Sequence, residues 1–365
     1  MTPRFFLIAQ FARNLVFAVA GFCFSCWLSG NNIPKPALPY VVREKIAHLH
    51  DHGNEYDAVF LGSSRIQNHV MPQVFDALVS ERGIPMHSFN FGISAMHTPE
   101  DDYLLDLILA QPHGRLRWVF VEIDFFDGAI RRDENGTLRG LYWHDWPRLC
   151  SVFLDLFTGT GGSVFRRLRT IRENIPVFFD HAKLFFQRAV NLGRGADLAQ
   201  RWLFKIPDSA LDVNTLGEGK DGWLPAEPLP TKSQENLSAS WRASLRQRVT
   251  EPPKKDPGDA GTTSSLSAKL KKITAAGATP VWVIPARVRQ YYFYPERTLA
   301  ERAPIIDLCD PHLYPDLYRE ELHVDTSHLN ATGARIFTRI LAERFLAVAA
   351  NQQGAQPVGS GVPVE

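Results

Sequence analysis

The strongest constraint on this chain is a repeated local grammar in which short apolar runs alternate with segments of helical period. Ala58–Leu61 is apolar throughout and stops at Gly62, as a strand buried on both faces does. His87–Phe91, Trp118–Ile123 and Pro280–Ile284 read as further strands. Between them, Gln73–Arg82 carries Val74, Phe75, Leu78 and Val79 on one face, with Gly83 as its stop. Thr98-Pro99-Glu100 supplies an N-cap, a first-turn proline and acidic residues for a helix through Ala110. Ser265–Ala276 predicts a basic amphipathic helix closed by Gly277. A last helix over Ala331–Ala349 has Ile336, Phe337, Ile340, Leu341, Phe345 and Val348 in one stripe. Strands alternating with helices imply an α/β domain whose parallel sheet is covered on both faces.

The 365 residues suffice for such a core. Forty Lys+Arg against 39 Asp+Glu leave a formal charge of +1, without the basic excess of a nucleic-acid surface. Four cysteines cannot form a disulfide scaffold. Cys23 and Cys26 form a CxxC inside an apolar run that offers no partner ligands, and Cys150 and Cys309 are the pair left to bridge in an oxidising compartment.

That apolar run, Phe5 to Leu28, has Gln10, Arg13 and Asn14 as its strongly polar residues and is long enough to span a bilayer. No A-x-A pattern follows it, since Leu28-Ser29-Gly30 begins with a large residue, so residues 1–30 predict an uncleaved signal anchor. The expected organisation continues with a Pro-rich spacer and domain entry (31–55) and the first part of the α/β domain (56–130). A largely helical, aromatic and basic insertion (131–263), the second part of the domain (264–350) and a disordered tail (351–365) complete it.

Ligands of open α/β sheets bind at the carboxyl ends of the strands. The first strand ends in Gly62-Ser63-Ser64-Arg65, the second in Asn90-Phe91-Gly92-Ile93-Ser94-Ala95 and the third in Asp124-Phe125-Phe126-Asp127. Asp325-Thr326-Ser327-His328 precedes the last helix, which Asn330 caps. A serine after a strand, with Asp and His three apart on a distant loop, has the composition of a Ser-His-Asp relay.

On these blocks the chain resembles the SGNH/GDSL hydrolase superfamily, over about residues 56–130 and 278–348. The Gly-Ser-Ser form with an N-terminal anchor is similar to its membrane-anchored cell-envelope branches. Those act on D-alanyl esters of teichoic acids or O-acetylate alginate-type polysaccharides. The resemblance implies a three-layer α/β/α, flavodoxin-like sheet, with Ser64 as nucleophile, His328 as base and Asp325 as the carboxylate behind it. Backbone N–H groups of Ser64 and Ala95 would form the oxyanion site, beside Asn90 and Gly92. No metal or organic cofactor is implied. The family's block-three amide falls on Phe126, which donates nothing, and loss of one such donor typically slows a reaction about a hundred- to a thousandfold. A lone Asp124 would oppose an oxyanion, so Arg65 is expected to pair with it and brace the nucleophile turn, or to face an anionic substrate group.

The expected function is that of an extracytoplasmic, single-pass serine esterase or O-acyltransferase, on the periplasmic side of the inner membrane if the cell is Gram-negative. Its partners would be an acylated polysaccharide or other envelope ester, the membrane, and an envelope protein complex. The alternative is a non-catalytic SGNH-like module that binds glycan or assembles an export complex. His323, Asp325 and His328 lack the spacing and fourth ligand of a metal site. His69, His87, His97, His113 and His144-Asp145 read as surface or packing residues, with His97 near enough to line the site. Arg287 and Arg289 point to the ligand edge as a solvated pair or an anion clamp, and Trp223, Tyr291, Tyr292 and Tyr294 are candidates for stacking on sugars.

Overall fold

The computed structural model describes residues 3–32, 37–123, 130–131, 134–135, 137–158, 164–190, 214–226, 231–250, 260–288 and 303–354. The chain divides into two compact units, Met1–Tyr40 with Gly128–Val213, and Val41–Asp127 with Asn214–Glu365. In chain order the elements are α1 (Pro3–Asn32), α2 (Tyr40–His52), β1 (Ala58–Gly62), α3 (Ser64–His69), α4 (Pro72–Glu81), β2 (Ser88–Gly92), α5 (Glu100–Leu109) and β3 (Trp118–Glu122). They continue with α6 (Leu138–Leu141), α7 (Trp146–Thr158), α8 (Val164–Val190), α9 (Thr231–Thr250), α10 (Ala260–Ala275), β4 (Thr279–Ile284), β5 (Ile305–Asp307) and α11 (Ala331–Gly354).

The second unit is an α/β domain whose five strands are all parallel, in the order β2-β1-β3-β4-β5. Alternate strand residues face opposite ways. Ala58, Phe60, Phe120, Val281 and Val283 meet α4 and α11 in one apolar core, where the Phe60 ring stacks on Phe120 at 4.4 Å and Phe345 lies 5.2 Å from Phe120. Val59, Leu61, Val119 and Val121 are equally buried on the other face, where α5 meets β1 and α10 meets β4. Lys269 to Asp101 (2.5 Å) and Lys272 to Asp102 (2.7 Å) join those two helices. The outer edge of β2 is closed by the 214–226 loop, with Asn90 N donating to Asp221 O at 2.8 Å. Gly222 allows this approach, since it has φ +86° and a Cβ there would lie 2.0 Å from Asn90 O.

Four strands fall where the sequence puts them, and Gly83 and Gly277 follow their helices with positive φ. The departures have local causes. β5 is three residues long, too short to carry a period. Residues 40–52, inside the expected spacer and domain entry, form α2, whose buried face is Val42, Lys45 and Leu49. Residues 33–36 of that spacer lie outside the described residues. Thr98 does not cap α5: the cap position is Pro99, without a side-chain bond, and the Thr98 hydroxyl donates instead to Asp101 Oδ2 at 3.1 Å. α10 begins at Ala260 rather than Ser265 because its first turn, Ala-Gly-Thr-Thr-Ser, has no apolar residue of bulk to mark it. Tail residues from 355 onward lie outside the described residues.

In the first unit α7 and α8 form an antiparallel hairpin. Trp146 meets Phe185 and Phe153 meets Phe178, with ring centroids 5.8 and 5.5 Å apart. Leu149, Val152, Leu156 and Leu184 are buried in it, and His144 Nε2 bonds His181 Nδ1 at 2.9 Å. Among the described residues, α1 has the one stretch long and apolar enough to cross a membrane, Leu7–Ser25, with mean hydropathy 1.6. Cys150 and Cys309 are free thiols, so the bridge left open by the sequence is not formed.

Candidate active site

Ser64 is the first residue of α3, immediately after β1. Ser63 caps that helix, its Oγ accepting from Arg65 N at 3.2 Å. The cap turns the chain sharply out of the sheet and leaves Ser64 half-exposed at the carboxyl end of the strands. Its partners come from the loop before α11. That loop is pinched by an antiparallel bridge between His323 and Leu329 and by Val324 N donating to His328 O at 2.9 Å. Within it, Asp325 Oδ1 accepts from Ser327 N (2.7 Å) and His328 N (2.9 Å).

The three side chains form a line. Ser64 Oγ lies 2.7 Å from His328 Nε2, and His328 Nδ1 lies 2.8 Å from Asp325 Oδ2. A carboxylate only accepts, so Nδ1 carries the imidazole proton and Nε2 accepts from the serine hydroxyl. Burial acts to raise the Asp325 carboxyl, but the bonds from His328 and the two backbone N–H groups hold it below its ordinary value. The His328 and Asp325 side chains are about a quarter exposed, at 25% and 26%.

Beneath the turn sits a carboxylate that sequence reasoning missed. Glu122, the last residue of β3, accepts from Ser63 N through Oε2 at 2.6 Å and from Arg65 Nε and Nη2 through Oε1, each at 2.6 Å. Burial alone would push its carboxyl up, yet the Arg65 guanidinium and the Ser63 N–H keep it lowered. Gly62 makes room for it, since a Cβ there would lie 2.7 Å from Glu122 Oε2. Arg65 is thus paired with Glu122, two positions before Asp124, and the pairing expected with Asp124 falls on a residue outside the described ones. Asp124, like Phe126, Arg289 and Tyr291, Tyr292 and Tyr294, lies outside the described residues. The signal was legible, because a lone acid inside WVFVEI requires a partner once buried.

The second block is structural at its start. Asn90 is buried, and its Nδ2 donates to Ile66 O (2.8 Å) and Val70 O (2.7 Å) while its Oδ1 accepts from Gly92 N at 2.8 Å. Those bonds splice β2 to α3 and leave neither the Asn90 amide nor the Gly92 N–H aimed at a ligand. Ile93 N then donates to Gly62 O at 2.8 Å, and the chain turns through Ala95, which holds φ 59°. Lys45 was also missed. Wholly buried on α2, its Nζ donates to Asn90 O, Gly92 O and Gly222 O, each at 2.9 Å, and burial lowers its pKa to about 7. Its position in line with Val42 and Leu49 was the available signal.

His69 is a packing residue, but one directly behind the site. Its Nε2 accepts from Leu329 N at 3.0 Å, next to His328, and burial holds it well below the ordinary imidazole range. His323 is committed elsewhere, with Nε2 donating to Leu317 O at 2.8 Å, and among the described residues no three metal-ligating side chains converge. His97 is half-buried, 3.2 Å from Ala95 O. Arg287, three residues past the end of β4, is 5% exposed, so it is no solvated residue, and its charge helps to keep Glu122 ionised. Trp223 donates its indole N–H to Asn68 O at 3.0 Å, which anchors the 214–226 loop. Comparisons of the chain with protein-family models, with curated proteins and with solved structures gave no match.

Proposed function

We propose that this protein is a membrane-anchored serine esterase or O-acyltransferase of the SGNH type, acting outside the cytoplasm on ester groups of an envelope or exported polysaccharide. The observation that carries the reading is the unbroken relay from Ser64 Oγ through His328 to Asp325, with both contacts at 2.7–2.8 Å. The strand order 2-1-3-4-5 is that of flavodoxin-like sheets, which supports the finer fold assignment. The apolar stretch of α1 supports an anchor, and the α/β domain is read as lying on its extracytoplasmic side.

In the proposed reaction His328 Nε2 takes the proton as Ser64 Oγ attacks the ester carbonyl, and the ionised Asp325 stabilises the imidazolium. Collapse of the tetrahedral intermediate expels the alcohol, which receives that proton, and leaves an acyl-Ser64. Water or a sugar hydroxyl then attacks the acyl carbon, again deprotonated by His328, and Ser64 is released. The Glu122–Arg65 pair holds the nucleophile turn without presenting an uncompensated negative charge to the oxyanion.

The test is p-nitrophenyl acetate turnover by the full-length chain, wild type beside Ser64→Ala, with mass spectrometry of the Ser64 peptide. Acetylation of Ser64 and turnover, both abolished in Ser64→Ala, are the expected outcome. Equal turnover by the two proteins and an unmodified Ser64 would favour the non-catalytic glycan-binding reading.

A further inference from the structure

We infer that the α7–α8 hairpin is a membrane-surface element, its aromatic face lying in the headgroup layer of the bilayer that α1 enters. The inference rests on reading α1 as a membrane span. On α8, Leu168, Ile175, Phe179 and Phe186 are 59, 43, 66 and 54% exposed. Their spacing of seven, four and seven residues puts them within about 40° of one another on a helix of 100° per residue. They form one stripe about 27 Å long at 1.5 Å per residue.

Phe178 and Phe185, on one flank of the stripe, carry the apolar surface across to Phe153 and Trp146 of α7, which are themselves 47% and 63% exposed. On the other flank stand the exposed cations Arg172 and Lys183, with Arg169 paired to Glu173 at 2.9 Å. An exposed aromatic stripe bordered by cations on long apolar stems is the pattern of a helix lying in an anionic interface. The rings enter the acyl boundary and the cations reach the phosphates. Continuity identifies the occupant as lipid: α1 and α8 are in contact and belong to the same compact unit, so the stripe is tethered to the helix that carries the span. The buried face of α8 is already covered by α6 and the turn after it, where His181 bonds His144 at 2.9 Å and Leu184 lies beside Gly140.

The test uses the full-length chain in vesicles of phosphatidylcholine and phosphatidylglycerol, with a dansyl amino acid at position 179, 186, 173 or 17 in turn and a brominated lipid as quencher. Position 173, an exposed glutamate about 140° round α8 from the stripe, is the aqueous control. Position 17 reports on α1. The expected result is a blue-shifted emission quenched about twofold or more at 17, 179 and 186, with 173 almost unchanged. Quenching at 17 with water-like emission at 179 and 186 overturns the inference and leaves the anchor standing. Blue-shifted but unquenched emission at 179 and 186 also overturns it, in favour of a protein partner or a second copy. An unquenched position 17 removes the anchor and the inference together.

Discussion

The buried Glu122–Arg65 pair gives the sharpest quantitative expectation. The Glu122 side chain is 0% exposed and that of Arg65 14%, and three donors converge on the carboxylate at 2.6 Å. Glu122→Ala takes the carboxylate away from a nearly buried guanidinium and from the Ser63 N–H, and removal of one member of a buried pair destabilises by about 3–5 kcal/mol. The chain has two units, so a local probe is preferable to a global melt. Hydrogen exchange of the peptide spanning β1 and α3 should accelerate roughly a hundred- to several-thousandfold, the equivalent of that free energy. Arg65→Met should act in the same direction. Combining it with Glu122→Met removes both charges, so the double variant should fall short of the sum of the singles by about 2 kcal/mol or more. The sign with pH follows from the lowered Glu122 carboxyl: its stabilisation is present above the unfolded value near 4.5 and is lost as pH falls through the folded one. Single variants within about 1 kcal/mol of wild type, or additivity within about 0.5 kcal/mol, would refute the bracing role.

Three further outcomes are expected. Asp325→Asn should leave the loop folded but lower kcat on p-nitrophenyl acetate by about 10⁴, through loss of the imidazole tautomer, and a fall of less than about tenfold would remove Asp325 from the relay. Lys45→Met should destabilise the chain, because three backbone carbonyls lose their donor. The gap should widen as pH rises from about 7 towards 10, since wild type folds with the lysine pKa lowered to about 7 against 10.5 unfolded, so that parallel stability profiles in denaturant titrations would refute it. Gly92→Ala should lower the melting temperature, because its Cβ would lie 2.2 Å from Gln67 N and 2.5 Å from Gln67 Cα, backbone atoms of α3 that a side chain cannot push aside; an unchanged transition would show that α3 is not held against β2 as described.

What the sequence made legible follows from whether the forces involved are local. Ala58–Leu61 and the core of Pro280–Ile284 are buried on both faces, so their composition alone marks them, and Asn330 caps α11 through a bond to Gly333 N that spans three residues. Ser64, Asp325 and His328 were legible because a strand-end serine and a loop-borne Asp-x-x-His each carry a local pattern. The support beneath them carries none. Glu122 lies 59 residues from Ser63, and Lys45 reaches Gly222 across 177. In each case a charged residue sits at a core position of its own element, and its partner is chosen by the packing of other elements. A buried charge persists only where such donors or acceptors have been assembled. Glu122 within an apolar strand and Lys45 between Val42 and Leu49 therefore identify sites that tertiary structure must satisfy, without naming the residues that satisfy them. Both lead to the turn that bears Ser64 and to the loop beside it: Glu122 through Ser63 and Arg65, Lys45 through Asn90 and Gly92. The charges least compatible with a local reading of the sequence are those that hold the carboxyl ends of β1 and β2 in register with the relay.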